Sequence, residues 1–262
     1  MPRFAANVST MFPDLPVAER FGAARAIGFE AVEYLFPYAE SPGEIRRRLS
    51  ETGVRIILLN TPLGDASAGE RGLAAVPGRQ ADFKDHFEQA LCYARTLDVP
   101  MIHVMAGVVA DEHRNDAEAV FAENVRHAAD AAATHGIRIL LEPLNHEDTP
   151  GYFLTLTAET RRLIQAIGRD NVRMQYDLYH RQIMEGNLAR GIADNLDLIA
   201  HIQFSSVPGR HEPQFGEVNL PYLFDVCDRL GYDGWIGCEY RPMTTVADGL
   251  GWGRPYGLGP NP

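Results

Sequence analysis

The chain of 262 residues is long enough for one or two domains, and single barrels commonly run to about 200–250 residues. Hydrophobic residues make up 45% of the sequence and charged residues 23%, which is typical of a globular protein and excludes wholesale disorder. Lys and Arg total 24 against 35 Asp and Glu, and the resulting net charge of −11 disfavours binding to nucleic acid or to anionic membranes.

Eight short runs of apolar, strand-forming residues recur along the chain. They are Phe4–Val8, Ala31–Leu35, Val54–Leu59, Met101–Met105, Ile137–Leu141, Val172–Tyr176, His201–Phe204 and Trp235–Cys238. Between them, apolar residues recur at helical spacing, as Phe83, Phe87 and Leu91 do. Ser41-Pro42-Gly43-Glu44 has the sequence of a helix start, and Gly53 stands where that helix would end. The pattern therefore predicts eight strands alternating with helices.

This alternation predicts a parallel sheet covered by helices, in the α/β class. Eight such units in about 240 residues fit a closed (β/α)8 TIM barrel, forming a single domain over residues 1–262. The alternative is an open flavodoxin-like or Rossmann sheet, but the turn after the first strand, Asn7–Met11, lacks the glycine fingerprint of those folds. Two segments do not fit the alternation of strands and helices. Residues 60–80 are a predicted lid loop, and residues 248–262 are a predicted irregular tail.

The cysteines and the apolar runs indicate in which cellular compartment the protein is expected. Cys92, Cys227 and Cys238 are scattered and form no CxxC pair, which indicates a reducing environment. The first ten residues contain no apolar stretch of the kind a secretory signal carries. No apolar run approaches the roughly 18 residues of a membrane span. We therefore expect a cytoplasmic protein that does not bind membranes.

Polar residues follow the predicted strands at the end where TIM barrels carry their active sites. The fifth to eighth strands deliver Glu142, Asp177, Gln203 and Glu239. Carboxylates that lie close together repel one another, which raises their pKa values, and a divalent cation removes this repulsion. Oxygen ligands favour Mg²⁺ or Mn²⁺. A single acidic residue after a strand more often caps the next helix, but four such residues embedded in successive strands are harder to explain by capping.

Other candidates rest on position alone. Asn7 and His103 stand at the ends of the first and fourth strands, where His103 could equally be an interior histidine. His180 lies three residues after Asp177. Arg210 lies in Pro-Gly-Arg-His-Glu-Pro after the seventh strand, and its guanidinium could bind a substrate carboxylate through two hydrogen bonds.

Longer motifs extend through nearly the whole chain, up to about Trp252. They are Pro2–Asn7, Val32–Tyr38, His103–Gly107, Glu142–Asn145, Asp177–His180, Gly186–Leu188, His201–Gln203, Pro208–Pro213, Gly216–Glu217 and Gly237–Tyr240. Together they resemble the motifs of the hydroxypyruvate isomerase family, in the xylose isomerase-like TIM-barrel superfamily that also contains ketose 3-epimerases and endonuclease IV. The 2-oxo-tetronate isomerases look very similar, so the motifs are less specific about the substrate.

The resemblance implies four metal ligands, which are Glu142, Asp177, Gln203 and Glu239. It also implies that Glu142 and Glu239 act as proton donor and acceptor, and that His180 and Arg210 contact the substrate. The epimerases have a second Glu six residues after the first, where this chain has Asp148 instead. Glu147 is the neighbouring candidate for substrate binding.

The implied reaction converts hydroxypyruvate into tartronate semialdehyde through a cis-enediolate, with no redox cofactor. Isomerisation of 2-oxo-tetronates and 3-epimerisation of ketoses are the alternatives within the superfamily. An endonuclease IV-like repair enzyme would need a histidine-rich zinc site and a basic surface, against which Gln203 and the net charge argue. A non-catalytic sugar-acid binding protein would lack the paired glutamates. The expected partner is a small hydroxy-oxo acid rather than nucleic acid, and a homo-oligomer is compatible with the sequence.

Overall fold

The computed structural model describes residues 1–259, in which eight parallel strands close into a barrel. The strands are β1 Arg3–Asn7, β2 Ala31–Glu33, β3 Arg55–Asn60, β4 Met101–His103, β5 Arg138–Leu141, β6 Val172–Asp177, β7 Ile199–Phe204 and β8 Trp235–Cys238. Each strand pairs with the next, and β1 closes the barrel against β8, with Ala5 opposite Gly237. The predicted (β/α)8 barrel is confirmed, and the open-sheet alternative is excluded.

Helices follow the strands around the outside of the barrel. Within residues 1–259 they are α1 Val17–Ala26, α2 Pro42–Thr52, α3 Gln80–Leu97, α4 Arg114–Ala133, α5 Thr157–Ile167, α6 Leu178–Met184, α7 Leu188–Asn195, α8 Leu220–Arg229 and α9 Val246–Gly249. The predicted start of α2 is confirmed, because Ser41 Oγ accepts a hydrogen bond from the Glu44 N–H, and Gly53 ends the helix in the left-handed region. In this part of the chain no helix has both the length and the apolar character needed to cross a membrane.

The interior of the barrel changes character from one end to the other. Because side chains alternate along a strand, Ala5, Ala31 and Leu140 point inward and form a small apolar cluster separate from the main core. Two residues further along β1 and β2, the inward positions are polar and carry Asn7 and Glu33, both fully buried. The end of the barrel that receives the carboxyl termini of the strands is therefore polar inside.

The predicted lid segment packs against the loop after β4. Gly72 and Ala106 form an isolated antiparallel bridge, and the Ala75 N–H donates to the Ala106 carbonyl at 2.7 Å. These backbone hydrogen bonds anchor the middle of residues 60–80 to the body of the barrel. Its closure over the barrel mouth stays a prediction.

The tail differs from the irregular segment that the sequence predicts. A short 3₁₀-helix spans Leu250–Tyr256, and the Trp252 ring packs with its centroid 5.1 Å from that of Phe4. The high Gly and Pro content of residues 248–262 suggested that this segment has little to bury, whereas its aromatic side chains join the core. Residues 260–262 of the predicted tail lie outside the described residues.

One position of β8 must lack a side chain. A Cβ added to Gly237 would overlap the carboxylate of Glu33 and lie 2.9 Å from Gln203 Cγ. Both neighbours are fully buried and hydrogen-bonded to each other, so neither can move aside without breaking a buried contact. The absent side chain is what allows Glu33 to cross the barrel interior.

We expect Gly237→Ala to lower the free energy of unfolding by about 1–3 kcal/mol, because it overpacks the barrel interior. Urea denaturation of the wild type and the variant would measure the loss. Gly43→Ala is the matched control, because a Cβ added to Gly43 on α2 meets nothing within 4 Å. That control should be neutral or slightly stabilising, and equal losses in the two variants would contradict the prediction.

Candidate active site

Four predicted site residues reach the same end of the barrel from consecutive strands. Glu142 directly follows β5, Asp177 is the last residue of β6, Gln203 lies within β7 and Glu239 directly follows β8. Three are buried, and the side chain of Glu239 is only 13% exposed. Strand geometry therefore concentrates three acidic side chains and one amide in a largely dry environment.

Glu142, Asp177 and His180 form the tightest group of metal-capable side chains. One ligand atom from each lies within 4.8 Å of the others. Among residues 1–259, Glu142 Oε1 and Asp177 Oδ2 are buried without a hydrogen-bond partner. Burying an unpaired carboxylate oxygen is costly, and a cation would offset that cost. This cluster could therefore hold a metal ion.

Asp177 caps a helix and faces the site at the same time. Its Oδ1 accepts a hydrogen bond of 2.8 Å from the Tyr179 N–H and thereby caps α6. Within residues 1–259 its Oδ2 has no hydrogen-bond partner, and it faces His180 Nε2 at 3.6 Å. Capping thus accounts for one oxygen of this residue and leaves the other available for chemistry.

The guanidinium of Arg210 lies among the carboxylates. Arg210 Nη2 is 3.3 Å from Glu239 Oε2 and 3.8 Å from Asp177 Oδ2, and Nη1 is 3.6 Å from Asp148 Oδ2. The guanidinium carbon lies 4.5 Å from the centre of the Tyr179 ring, a cation–π contact that orients it. Arg210 thus brings a positive charge to the acidic site, and its binding of a substrate carboxylate stays a prediction.

Burial raises the pKa of all three carboxyl groups. It raises the pKa of Glu239 to about 8, and that of Asp177 to about 6, with Arg210 opposing the rise in both cases. Burial, together with repulsion from Glu239 and Asp177, raises the pKa of Glu142 well above its usual range. The metal-free site therefore retains protons on carboxyl groups near neutral pH, as a general acid requires.

These shifts predict how stability depends on pH. A carboxyl group whose pKa is raised by folding contributes its full stabilisation below its pKa in the unfolded chain, which is 4.5 for Glu239. This contribution is lost as the pH rises through the pKa in the folded protein, which is about 8 for Glu239. We expect the free energy of unfolding of EDTA-treated protein to fall by up to about 5 kcal/mol across that window, because one pKa unit corresponds to about 1.4 kcal/mol. Urea denaturation at several pH values would measure it. Glu239→Gln should flatten the profile, and an unchanged slope in that variant would contradict the assignment.

Gln203 belongs to a hydrogen-bonded polar layer in the barrel interior. Its Nε2 donates to Glu33 Oε2 at 3.0 Å, and its Oε1 accepts from Gln175 Nε2 at 2.5 Å. Asn7 Nδ2 also donates to Glu33 Oε2, at 2.9 Å. The amide oxygen of Gln203 keeps one further lone pair, and its role as a metal ligand stays a prediction. Asn7 contacts Glu33 rather than the cluster of Glu142 and Asp177.

The centre of this layer is a pair that sequence reasoning did not select. Glu33 and His201 are fully buried, and His201 Nε2 forms a hydrogen bond with Glu33 Oε1. The sequence did contain one indication of His201. It lies two residues before Gln203, so alternation along β7 places both side chains on the inward face of the strand. The partner of His201 lies 168 residues away in sequence, so spacing could not reveal the pair.

The structure places the predicted candidates His103 and Glu147 in different surroundings. His103 is buried, its Nδ1 lies 3.3 Å from Glu142 Oε2, and burial lowers its pKa to about 3, so it is a neutral neighbour of the site. Glu147 is exposed, whereas the adjacent Asp148 reaches Arg210. A substrate-binding role for Glu147 stays a prediction.

Comparisons with known sequences give consistent results. Residues 21–256 match the family model described as xylose isomerase-like TIM barrel. The chain is 49% identical to the 2-oxo-tetronate isomerase of Cupriavidus necator, over 98% of this chain and 99% of that protein. It is 47% identical to the putative hydroxypyruvate isomerase of Homo sapiens, over 97% and 95%, and 41% identical to the hydroxypyruvate isomerase of Escherichia coli, over 98% and 100%.

Two solved structures illustrate the range of similar folds. A crystal structure described as AP endonuclease, family 2, from Brucella melitensis has a TM-score of 0.96 and 48% identity, covering 98% of this chain and 99% of that one. A 3-keto-D-glucoside 4-epimerase from E. coli has a TM-score of 0.81 at 22% identity, covering 97% and 99%. The second likeness shows a shared fold alone.

Proposed function

The chain belongs to the xylose isomerase-like TIM barrel family, and on that premise we propose that it isomerises small hydroxy-oxo acids, most specifically hydroxypyruvate to tartronate semialdehyde. Near-full-length relatives named hydroxypyruvate isomerase and 2-oxo-tetronate isomerase support this class of reaction. The observation that carries the proposal is a pair of carboxyls at one end of the barrel, the buried Glu142 and the largely buried Glu239. Both have a raised pKa, and the pKa of about 8 for Glu239 suits proton transfer near neutral pH.

The reaction moves one proton between adjacent carbons. It leaves the carbon that bears the hydroxyl group, giving a cis-enediolate, and a proton then returns at the neighbouring carbon, while a proton also passes from one oxygen to the other. We assign the carbon-to-carbon transfer to Glu142 and Glu239, acting as base and acid. The raised pKa of Glu239 allows the same carboxyl to accept and to release a proton.

Arg210 is the proposed anchor for the substrate carboxylate. Its guanidinium already contacts three carboxylates at 3.3–3.8 Å, and its planar fork can form two parallel hydrogen bonds with a carboxylate. A substrate carboxylate at this position would compete with Glu239 for Arg210. Binding would then free the Glu239 carboxyl for proton transfer.

The donor set also fits a divalent metal ion. Glu142 and Asp177 offer buried oxygens that have no hydrogen-bond partner in the described part of the chain, and hard cations prefer oxygen ligands. Glu239 and Gln203 complete the proposed set for Mg²⁺ or Mn²⁺. A bound ion would supply positive charge that stabilises negative charge developing on the substrate oxygens.

Two alternative functions are suggested by the comparisons. The 49% identity to the 2-oxo-tetronate isomerase of C. necator supports a four-carbon 2-oxo-tetronate as the substrate, which the same proposed pair could serve. The structure from B. melitensis is described as an endonuclease, but a net charge of −11 disfavours DNA as the substrate of this chain. We therefore place isomerisation first.

A substrate panel tests the proposal. Purified protein would be assayed with hydroxypyruvate, a 2-oxo-tetronate and a ketohexose, with Mg²⁺ or Mn²⁺ added and with an EDTA-treated control. We expect turnover of hydroxypyruvate or the 2-oxo-tetronate, followed by NMR detection of the product. Nicking of plasmid DNA containing abasic sites, with no turnover of the three small molecules, would overturn the proposal.

The two glutamates should be individually essential. Glu142→Gln and Glu239→Gln each keep the shape of the side chain but remove its acid–base function, so we expect kcat to fall by about 10²–10⁴-fold. Steady-state kinetics on the preferred substrate would measure the change. Glu88→Gln, at an exposed position of α3, is the control and should retain activity. Near wild-type turnover in both site variants would disprove the two-glutamate mechanism.

A further inference from the structure

His180 accepts hydrogen bonds from one residue at its Nδ1 atom. The backbone N–H of Asn145 donates to Nδ1 at 3.1 Å, and the side-chain Nδ2 of Asn145 lies 2.7 Å from the same atom. Both residues are buried. A backbone N–H can only donate, so with both contacts in place Nδ1 presents a lone pair and not a proton.

The orientation of the Asn145 amide is fixed from its other side. Asn145 Oδ1 accepts a hydrogen bond of 2.7 Å from the Asp148 N–H, and Nδ2 donates to Asp148 Oδ2 at 3.1 Å. In the first contact the donor is a backbone N–H three residues on, which settles which amide atom is the oxygen. The NH₂ group must therefore be the side that faces His180.

These contacts determine where the imidazole carries its proton. With Nδ1 as acceptor, the ring proton is on Nε2. Burial and the nearby Arg210 lower the pKa of His180 well below its usual range, in agreement with a neutral ring. Nε2 lies on the side of the ring that faces Asp177 Oδ2, at 3.6 Å.

A protonated Nε2 cannot bind a metal ion, because the metal needs the lone pair of that nitrogen. Although His180 lies within reach of Glu142 and Asp177, its hydrogen bonds make it a donor instead of a ligand. A neutral imidazole N–H can donate to a substrate oxygen on which negative charge develops. The metal-capable cluster is then reduced to its oxygen atoms.

We propose that Asn145 is a positioning residue that holds His180 as the Nε2–H tautomer, so that His180 donates a hydrogen bond to a substrate oxygen and does not bind metal. The identity of the acceptor oxygen rests on the proposed function. The tautomer does not, because it follows from hydrogen bonds within the protein.

Nitrogen NMR of histidine-labelled protein tests the tautomer directly. Long-range ¹H–¹⁵N spectra distinguish a protonated ring nitrogen from an unprotonated one, and His180→Gln would assign the signals. We expect Nε2 of His180 to be protonated and Nδ1 unprotonated in the wild type, both without metal and with Mg²⁺ added. A proton on Nδ1, or loss of the Nε2 proton with Mg²⁺, would overturn the proposal even if no substrate is turned over.

Two variants of Asn145 test its positioning role. Asn145→Asp keeps the backbone N–H but puts a carboxylate oxygen, which can only accept, at the shorter of the two contacts with Nδ1. We therefore expect Nδ1 to gain a proton and kcat to fall about tenfold or more, beyond any change in KM. Asn145→Ala keeps the backbone N–H donor and should retain the Nε2–H tautomer, with a smaller loss of kcat. An unshifted Nδ1 signal in folded Asn145→Asp would refute the role, as would a larger kcat loss in the Ala variant. If Asn145→Asp does not fold, the Ala variant decides, and an Nδ1–H signal there would also refute it.

Discussion

The cost of burying negative charge governs the carboxyl-terminal end of this barrel. Four acidic side chains, Glu33, Glu142, Asp177 and Glu239, approach one another there within low-dielectric surroundings, and each is stabilised differently. Glu33 receives hydrogen bonds from Asn7 and Gln203 and pairs with His201. Among the residues that the structure describes, Asp177 receives a helix-capping hydrogen bond on one oxygen only, and one oxygen of Glu142 has no hydrogen-bond partner. The carboxylate of Glu33, with both oxygens hydrogen-bonded, thus differs from the carboxylates that are proposed to take part in the chemistry.

The sequence predicts the barrel and the four rim residues because both depend on local patterns. Short apolar runs locate the strands, and the polar residue at each strand end locates the rim, so Glu142 and Glu239 could be selected without coordinates. Contacts across the barrel are different in kind. Glu33 and His201 meet through closure of the sheet, and no spacing along the chain records that closure. The packing of Trp252 could not be predicted for the same reason, because it depends on contact with Phe4 from the opposite end of the chain.

The loop after β7 depends on the segment that follows Glu239. Arg210 lies in the left-handed region, with φ 57°, and its carbonyl accepts the Arg241 N–H at 2.7 Å. The buried Glu212 carboxylate accepts the Met243 N–H at 3.2 Å and so joins the same two loops a second time. The position of the cationic group is therefore coupled to the backbone next to one of the acidic groups that it contacts.

The missing side chain at Gly237 links two distant positions of the sequence. Because the space beside Gly237 is filled by Glu33, a larger residue on β8 can be accommodated only if the residue on β2 becomes smaller. Positions 33 and 237 should therefore covary among related barrels, and exchange of either strand between homologues should succeed only when both are exchanged together. In this respect the two strands, which both flank β1, should change together.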